Sequence, residues 1–305
     1  MTASRGPAQR AKAAADAVLG GLAVGMLRVI RATNRKRMAD VAGGFMRRVG
    51  PWLKEHRIGR ANLAAAFPEK SPAEIEQILA GVWDNLGRVA AEYAHLDRLW
   101  DCDFEHPSAG RIEVPPEAVE RFMRLRDDGK PALVFAAHLA NWELPALAAP
   151  AYGLEAAVLF RAPNLGNVAA AVREIRAPNM GNLISTGITA PSAVAAALER
   201  GIHVGILVDQ FYYHGEDVEF FGRRCKANPM MARLARHFEC PIHGTRVIRL
   251  PDHRFRLELT DEIAPARDAD GRIDVKATTQ MITTVVEGWI RQHPEQWLWL
   301  HRRWR

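Results

Sequence analysis

What most constrains this chain is a change of rhythm near residue 112. Beyond it, short apolar runs without polar alternation take turns with stretches of helical spacing. The first run, 132–137 (ALVFAA), is introduced by Gly129-Lys130-Pro131; the second is 156–160 (AAVLF) and the third 202–208 (IHVGILV). Helical stretches fall at about 145–150, 167–176 and 192–200. Strands that are apolar on both faces belong in a mainly parallel sheet covered by helices on both sides. Runs 246–250 and 255–259 flank Pro251-Asp252-His253 and predict an antiparallel hairpin closing that sheet. The expected fold class is therefore α/β, with an N-terminal helical region in front.

That region covers residues 1 to about 100. The spacing predicts helices over 38–52 and 72–99, the second marked by Ile75, Ile78, Leu79, Val82 and Leu86. Ser71, Pro72 and Glu74 form a helix start, with a capping serine, proline in the first turn and glutamate three residues on. A last helix, 275–293, leads into a tail rich in tryptophan and arginine. No internal repeat is visible, and low complexity is confined to the first fifteen residues.

A 48% apolar fraction with 25% charged residues suits a folded chain of 305 residues and excludes wholesale disorder. Cys102, Cys225 and Cys240 are too widely spaced for a disulfide framework or a zinc site, so neither metal nor cofactor is expected. The net charge of +6 asks for an anionic partner: nucleic acid, acidic lipid headgroups or a phosphorylated substrate. No nucleic-acid motif accompanies it, so nucleic acid is not expected as a partner.

Residues 17–27 (AVLGGLAVGML) are apolar over about half the length of a bilayer span. Arg5, Arg10 and Lys12 precede them; Arg28, Arg31, Arg35, Lys36 and Arg37 follow, where a signal peptide would carry small residues for cleavage. An interfacial helix or a short anchor with snorkelling flanks fits this pattern, against the alternative of a helix packed on the protein's own surface. The expected division is a membrane-associating segment over 1–37 and one domain over 38–305, helical to 110 and α/β from 111.

Open α/β sheets bind ligands beyond the carboxyl ends of their strands. His138, Arg161 and Asp209 stand at the ends of the three runs and should converge on one crevice. An imidazole near neutral pKa can take a proton from an attacking alcohol. Glu143, five residues on, is a candidate to orient the ring, although spacing alone does not choose it over another carboxylate. Asp209 has three readings: binding a substrate hydroxyl, positioning His138, or capping the next turn. The tail tryptophans Trp297 and Trp299 read as core closure, and the tail arginines as lying near anionic headgroups or substrate phosphates. Asn164, Gly166, Asn179, Gly181 and Asn182 form no phosphate loop and read as turn chemistry.

The segment His138-Leu139-Ala140-Asn141-Trp142-Glu143 resembles the HX4(D/E) motif of the bacterial lipid A late acyltransferases. Similar to the same family are Arg60-Ala61-Asn62-Leu63 with Ala66-Phe67-Pro68, Leu159-Phe160-Arg161, Leu207-Val208-Asp209-Gln210, Phe220-Phe221-Gly222, and the tail from His293 to Arg303 (HPEQWLWLHRR). The likeness runs from about residue 15 to the C-terminus and implies a glycerolipid-acyltransferase-like fold. It further implies acyl transfer from an acyl carrier protein (or acyl-CoA) to an anionic glycolipid at the cytoplasmic face of the inner membrane. His138 would be the base and Glu143 its catalytic partner, with Asn141, Arg161, Arg176 and Asp209 toward substrate. One departure follows the FFG element, where Ala227-Asn228-Pro229-Met230-Met231 replaces small Thr/Gly residues.

Overall fold

The computed structural model describes residues 7–102, 105–106, 110–161, 170–171, 174–176, 178 and 180–305, with backbone only for 7–16 and 19. Four helices come first: α1 (Pro7–Arg31), α2 (Arg35–Val49), α3 (Lys54–Ala66) and α4 (Pro72–Tyr93). The predicted start of α4 is present in full. Ser71 Oγ accepts from the Glu74 amide at 3.3 Å, while the Glu74 carboxylate accepts from the Ser71 amide at 2.8 Å. Helix α4 stops at Tyr93, and a separate 3₁₀ turn, Leu96–Arg98, completes the stretch expected as one helix. Helices α2 and α4 pack closely because Gly87 has no side chain: a Cβ there would fall 2.3 Å from the Ala42 carbonyl oxygen.

The central sheet has seven strands in the order β1-β9-β8-β2-β5-β3-β4. They are β1 (Ile112–Glu113), β2 (Leu133–Ala136), β3 (Ala156–Phe160), β4 (Asn182–Ser185), β5 (His203–Leu207), β8 (Ile242–Leu250) and β9 (Arg254–Leu259). Neighbours run parallel except β8 and β9, the predicted antiparallel hairpin. The three apolar runs are thus β2, β5 and β3, adjacent at the sheet's centre.

Two features depart from expectation. Gly181 does take a turn conformation (φ +67°), but Asn182 then opens edge strand β4 instead of continuing the turn. A separate antiparallel hairpin, β6 (Glu216–Phe220) and β7 (Arg223–Ala227), surrounds the FFG element. Its two-residue loop, Phe221-Gly222, has positive φ at both positions (+54° and +67°), the geometry that suits the twist of a tight hairpin.

Parallel register gives the sheet two distinct faces. Leu133, Phe135, Ala157, Leu159, Val204 and Ile206 are buried in the main core with α7 (Ala190–Glu199), α8 (Met230–Phe238) and α9 (Val275–Gln292). The opposite face lies under α5 (Pro116–Asp127) and α6 (Leu144–Ala151). There Val134, Ala136, Val158, Gly205 and Leu207 are only half-buried although they occupy central strands. Space remains between this face and its helices.

Candidate active site at the carboxyl edge of the sheet

His138 follows β2 by two residues, and Asp209 follows β5 by two. Because β2 and β5 are neighbours in register, their ends meet. His138 Nδ1 lies 2.8 Å from Asp209 Oδ1, and the His138 amide donates to Asp209 Oδ2 at 2.9 Å. The indole of Trp297 donates a third hydrogen bond to Asp209 Oδ2 at 2.7 Å. A carboxylate only accepts, so in the neutral ring Nδ1 carries the proton and Nε2 keeps its lone pair. The amide of Gln210 stands 3.4 Å from Nε2, and the edge-on ring of Trp142 is centred 5.1 Å from the imidazole.

The Asp209 side chain has no exposed surface. Burial alone would raise its pKa, but the charge and hydrogen bonds of His138, with His301 nearby, hold the carboxyl well below its usual range. For His138, burial pushes the ring's pKa down; the Asp209 charge and hydrogen bond, with the Glu143 charge, overcome this and leave it above the ordinary imidazole value.

The loop carrying the histidine is tightly turned, with Ala140 at φ +47°, a region uncommon for a residue with a side chain. The C-terminal tail pins it: Ala140 N donates to Gln296 O at 3.0 Å and Leu298 N to His138 O at 3.2 Å. Behind the loop runs a buried polar network. Arg249 donates to both oxygens of Glu92 (2.6 and 2.9 Å) and to Asn85 Oδ1 (2.8 Å), while Asn85 Nδ2 donates to Ala140 O at 3.2 Å. Asn141 Nδ2 donates to Glu92 Oε2 at 2.8 Å, and Asn141 Oδ1 accepts from the Glu143 amide at 3.2 Å.

This arrangement sorts the residues singled out in the sequence. His138 and Asp209 are in contact, and of the three readings for Asp209 the geometry selects positioning of the ring. Glu143 is not the ring's hydrogen-bonding partner. Its carboxylate accepts from Arg176 Nε at 3.1 Å and from a second nitrogen of the same guanidinium. Arg176 also stacks over the rings of Tyr93 (5.4 Å) and Phe160 (5.3 Å). Arg161 is exposed on the rim of the same cavity that His138, Glu143 and Arg176 line. Asn141 and Asp209 were placed toward substrate, yet both are buried with their polar atoms committed to protein groups, so they support the site from behind.

The tail divides similarly. Trp297 and Trp299 close the core as expected, at 1% and 0% exposure. Arg303 does not reach outward: it is 1% exposed, donates to Lys226 O at 2.8 Å and stacks over Phe220 at 5.0 Å. Sequence reasoning missed Trp297 as a donor to Asp209, because indole N–H groups have no periodic signature. It also missed Asn85, Glu92 and Arg249, which meet only through the fold.

The cavity holds about 850 Å³ and its walls are mainly apolar. Its lining includes the half-buried sheet face with Phe122 and Leu125 of α5 and Ala148 and Ala149 of α6. Ala195 of α7 and Leu234 and Phe238 of α8 line it too. Neither serine nor cysteine occurs among its described lining residues.

An α/β sheet bearing a carboxylate-oriented imidazole in the wall of a mainly apolar cavity has the parts of an enzyme that works on an apolar substrate. Residues 12–305 match the family described as bacterial lipid A biosynthesis acyltransferase. The chain belongs to that family of acyltransferases. No curated protein matches the chain.

Proposed function

We propose that this protein transfers a fatty-acyl chain from the thioester of an acyl carrier protein to a hydroxyl of a lipid A precursor, with His138 as general base. The observation that carries this reading is the His138–Asp209 pair: Asp209 holds Nδ1, the side-chain amide of the exposed Gln210 stands at Nε2, and His138 lines an apolar cavity. Nε2 takes the acceptor's proton as the alcohol oxygen attacks the thioester carbonyl, and Asp209 stabilises the imidazolium. The proton then passes to the departing thiolate. Direct attack fits a cavity with neither serine nor cysteine among its described lining residues. Arg161, exposed on the cavity rim, suits a phosphate group of donor or acceptor through its planar guanidinium fork, whereas two nitrogens of Arg176 are already held by Glu143.

Membrane attachment belongs to the same reading. No helix among the described residues is long and apolar enough to cross a membrane. Val18, Leu22, Met26 and Val29 nevertheless form an exposed apolar face on α1, and Val41 and Phe45 of α2 and Trp52 are exposed as well. Arg28, Lys36, Arg37 and Arg48 of the same helices are also exposed. This pairing of an apolar face with cations suits the anionic cytoplasmic surface of an inner membrane, and the net charge of +6 suits an acidic carrier.

One observation favours a related acceptor. Asn228, Pro229 and Met230, in the segment that departs from the family's small residues, line the cavity. Purified protein assayed by mass spectrometry with an acyl-carrier donor and a Kdo-bearing lipid A precursor tests the proposal. Acylated precursor supports it. Transfer only to an ornithine lipid or glycerolipid, or only from acyl-CoA, replaces its acceptor or donor.

A further inference from the structure

We infer that Gly205 sets the length of acyl chain that the cavity admits; this rests on the acyl-transfer reading above. Gly205 is the middle residue of β5, in one row with Val134 of β2 and Val158 of β3. A glycine inside a strand weakens it, so its presence at a sheet's centre asks for another reason, such as close approach by a ligand. The surroundings supply one. A Cβ at Gly205 would meet nothing nearer than Ala157 O and Val158 Cγ2, both at 3.9 Å. The missing side chain therefore leaves space that belongs to the cavity rather than to a neighbouring packed group.

The cavity continues past this point. His203 of the same strand lines it, as do Ala156, Leu154 and Ala149. Its bore along this face thus runs from the level of His138 and Asp209 to the far end of the strands. At ~3.3 Å per strand residue, Gly205 lies ~13 Å below Asp209 and His203 ~20 Å below. A zig-zag of carbon–carbon bonds ~1.5 Å long advances ~1.25 Å per carbon, so these depths correspond to ~10 and ~16 carbons. Chains of ~12–16 carbons must pass the Gly205 row, whereas shorter ones end above it. A leucine at 205 would stand in the bore and close its lower part.

The substitution is structurally mild. Glycine to alanine adds one methyl at van der Waals distance, and larger residues suit strands better than glycine does. Wild type, Gly205→Ala and Gly205→Leu are compared with acyl-carrier donors of eight to sixteen carbons, reading product by mass spectrometry. In parallel, the thermal shift given by fatty acids of the same lengths reports chain binding without turnover. Wild type should use and bind the twelve- to sixteen-carbon chains. Gly205→Leu should lose ~100-fold in kcat/KM for them, the scale on which an apolar pocket rejects excess methylenes, while keeping eight- and ten-carbon chains within a few-fold. Gly205→Ala should fall between. A folded Gly205→Leu protein with unchanged length preference in both assays overturns the inference, as does equal loss of all chains. If wild type transfers from no donor, acyl transfer fails as a reading, and the thermal shifts still decide whether Gly205 limits chain length.

Discussion

The Nδ1 atom of His138 and Oδ1 of Asp209 lie 2.8 Å apart across 71 residues of sequence. Glu143, only five residues from the histidine, instead accepts the guanidinium of Arg176. The ring is therefore oriented by the neighbouring strand's end, while the nearer carboxylate acts on it through charge alone. Both carboxylates favour the protonated ring, and they should be separable by experiment.

A general base must be unprotonated to act. Since the pKa of His138 is raised, kcat/KM should increase with pH through a midpoint above the ordinary imidazole value of ~6.5. Asp209→Asn removes the largest raising contribution and should move that midpoint down, with a loss of ~10²–10⁴-fold in plateau rate from the misoriented ring. The pH–rate profiles of the two proteins check both.

Glu143→Gln should also lower the midpoint, but by less than Asp209→Asn, because Glu143 contributes charge without a hydrogen bond to the ring. The same variant frees Arg176 from its buried ion pair, so KM for the phosphorylated substrate should change as well. A Glu143→Gln shift equal to that of Asp209→Asn would place both carboxylates on the ring.

The network behind the loop carries a stability prediction. Glu92 is 3% exposed and both its oxygens accept from Arg249. Arg249→Met should destabilise by about 3–5 kcal/mol, since it strands a buried carboxylate. Adding Glu92→Gln should recover part of the loss. Denaturant melts of wild type and both variants measure this.

At the N-terminus, Leu22→Gln with Trp52→Gln should weaken binding to anionic vesicles at least tenfold, because a buried leucine alone contributes about 1.5–3 kcal/mol. Binding should also fall with added salt. Vesicle co-sedimentation reads both effects, and unchanged binding would assign this surface to something other than a membrane.

The centre of the sheet was legible because β2, β3 and β5 are short runs apolar on both faces, the first set off by Gly129-Lys130-Pro131. Edge strand β4 was not: Gly181 and Asn182 signal a turn, and a strand paired on one side carries no double-sided apolar run. The β6–β7 hairpin was hidden because Glu216, Glu219, Arg223 and Arg224 make it polar. In the site, strand ends located His138 and Asp209, while spacing left the ring's carboxylate open and the family resemblance named Glu143 as the base's partner. Register between parallel strands decides such contacts, and no linear spacing records it. Asn141 misled for a related reason, since a polar residue in a site motif looks the same whether it faces substrate or supports the loop. Of the expected helix over 167–176, residues 170–171 and 174–176 are helical and the others lie outside the described residues, as do Asn164, Gly166 and Asn179.

The most direct measurement is the rate of acyl transfer by His138→Ala against wild type, with folding checked by circular dichroism. Loss of the base should lower the rate by ~10²–10⁴-fold and abolish the acid limb of the pH profile. A folded His138→Ala protein that transfers acyl chains at the wild-type rate would contradict the assignment of His138 as the base.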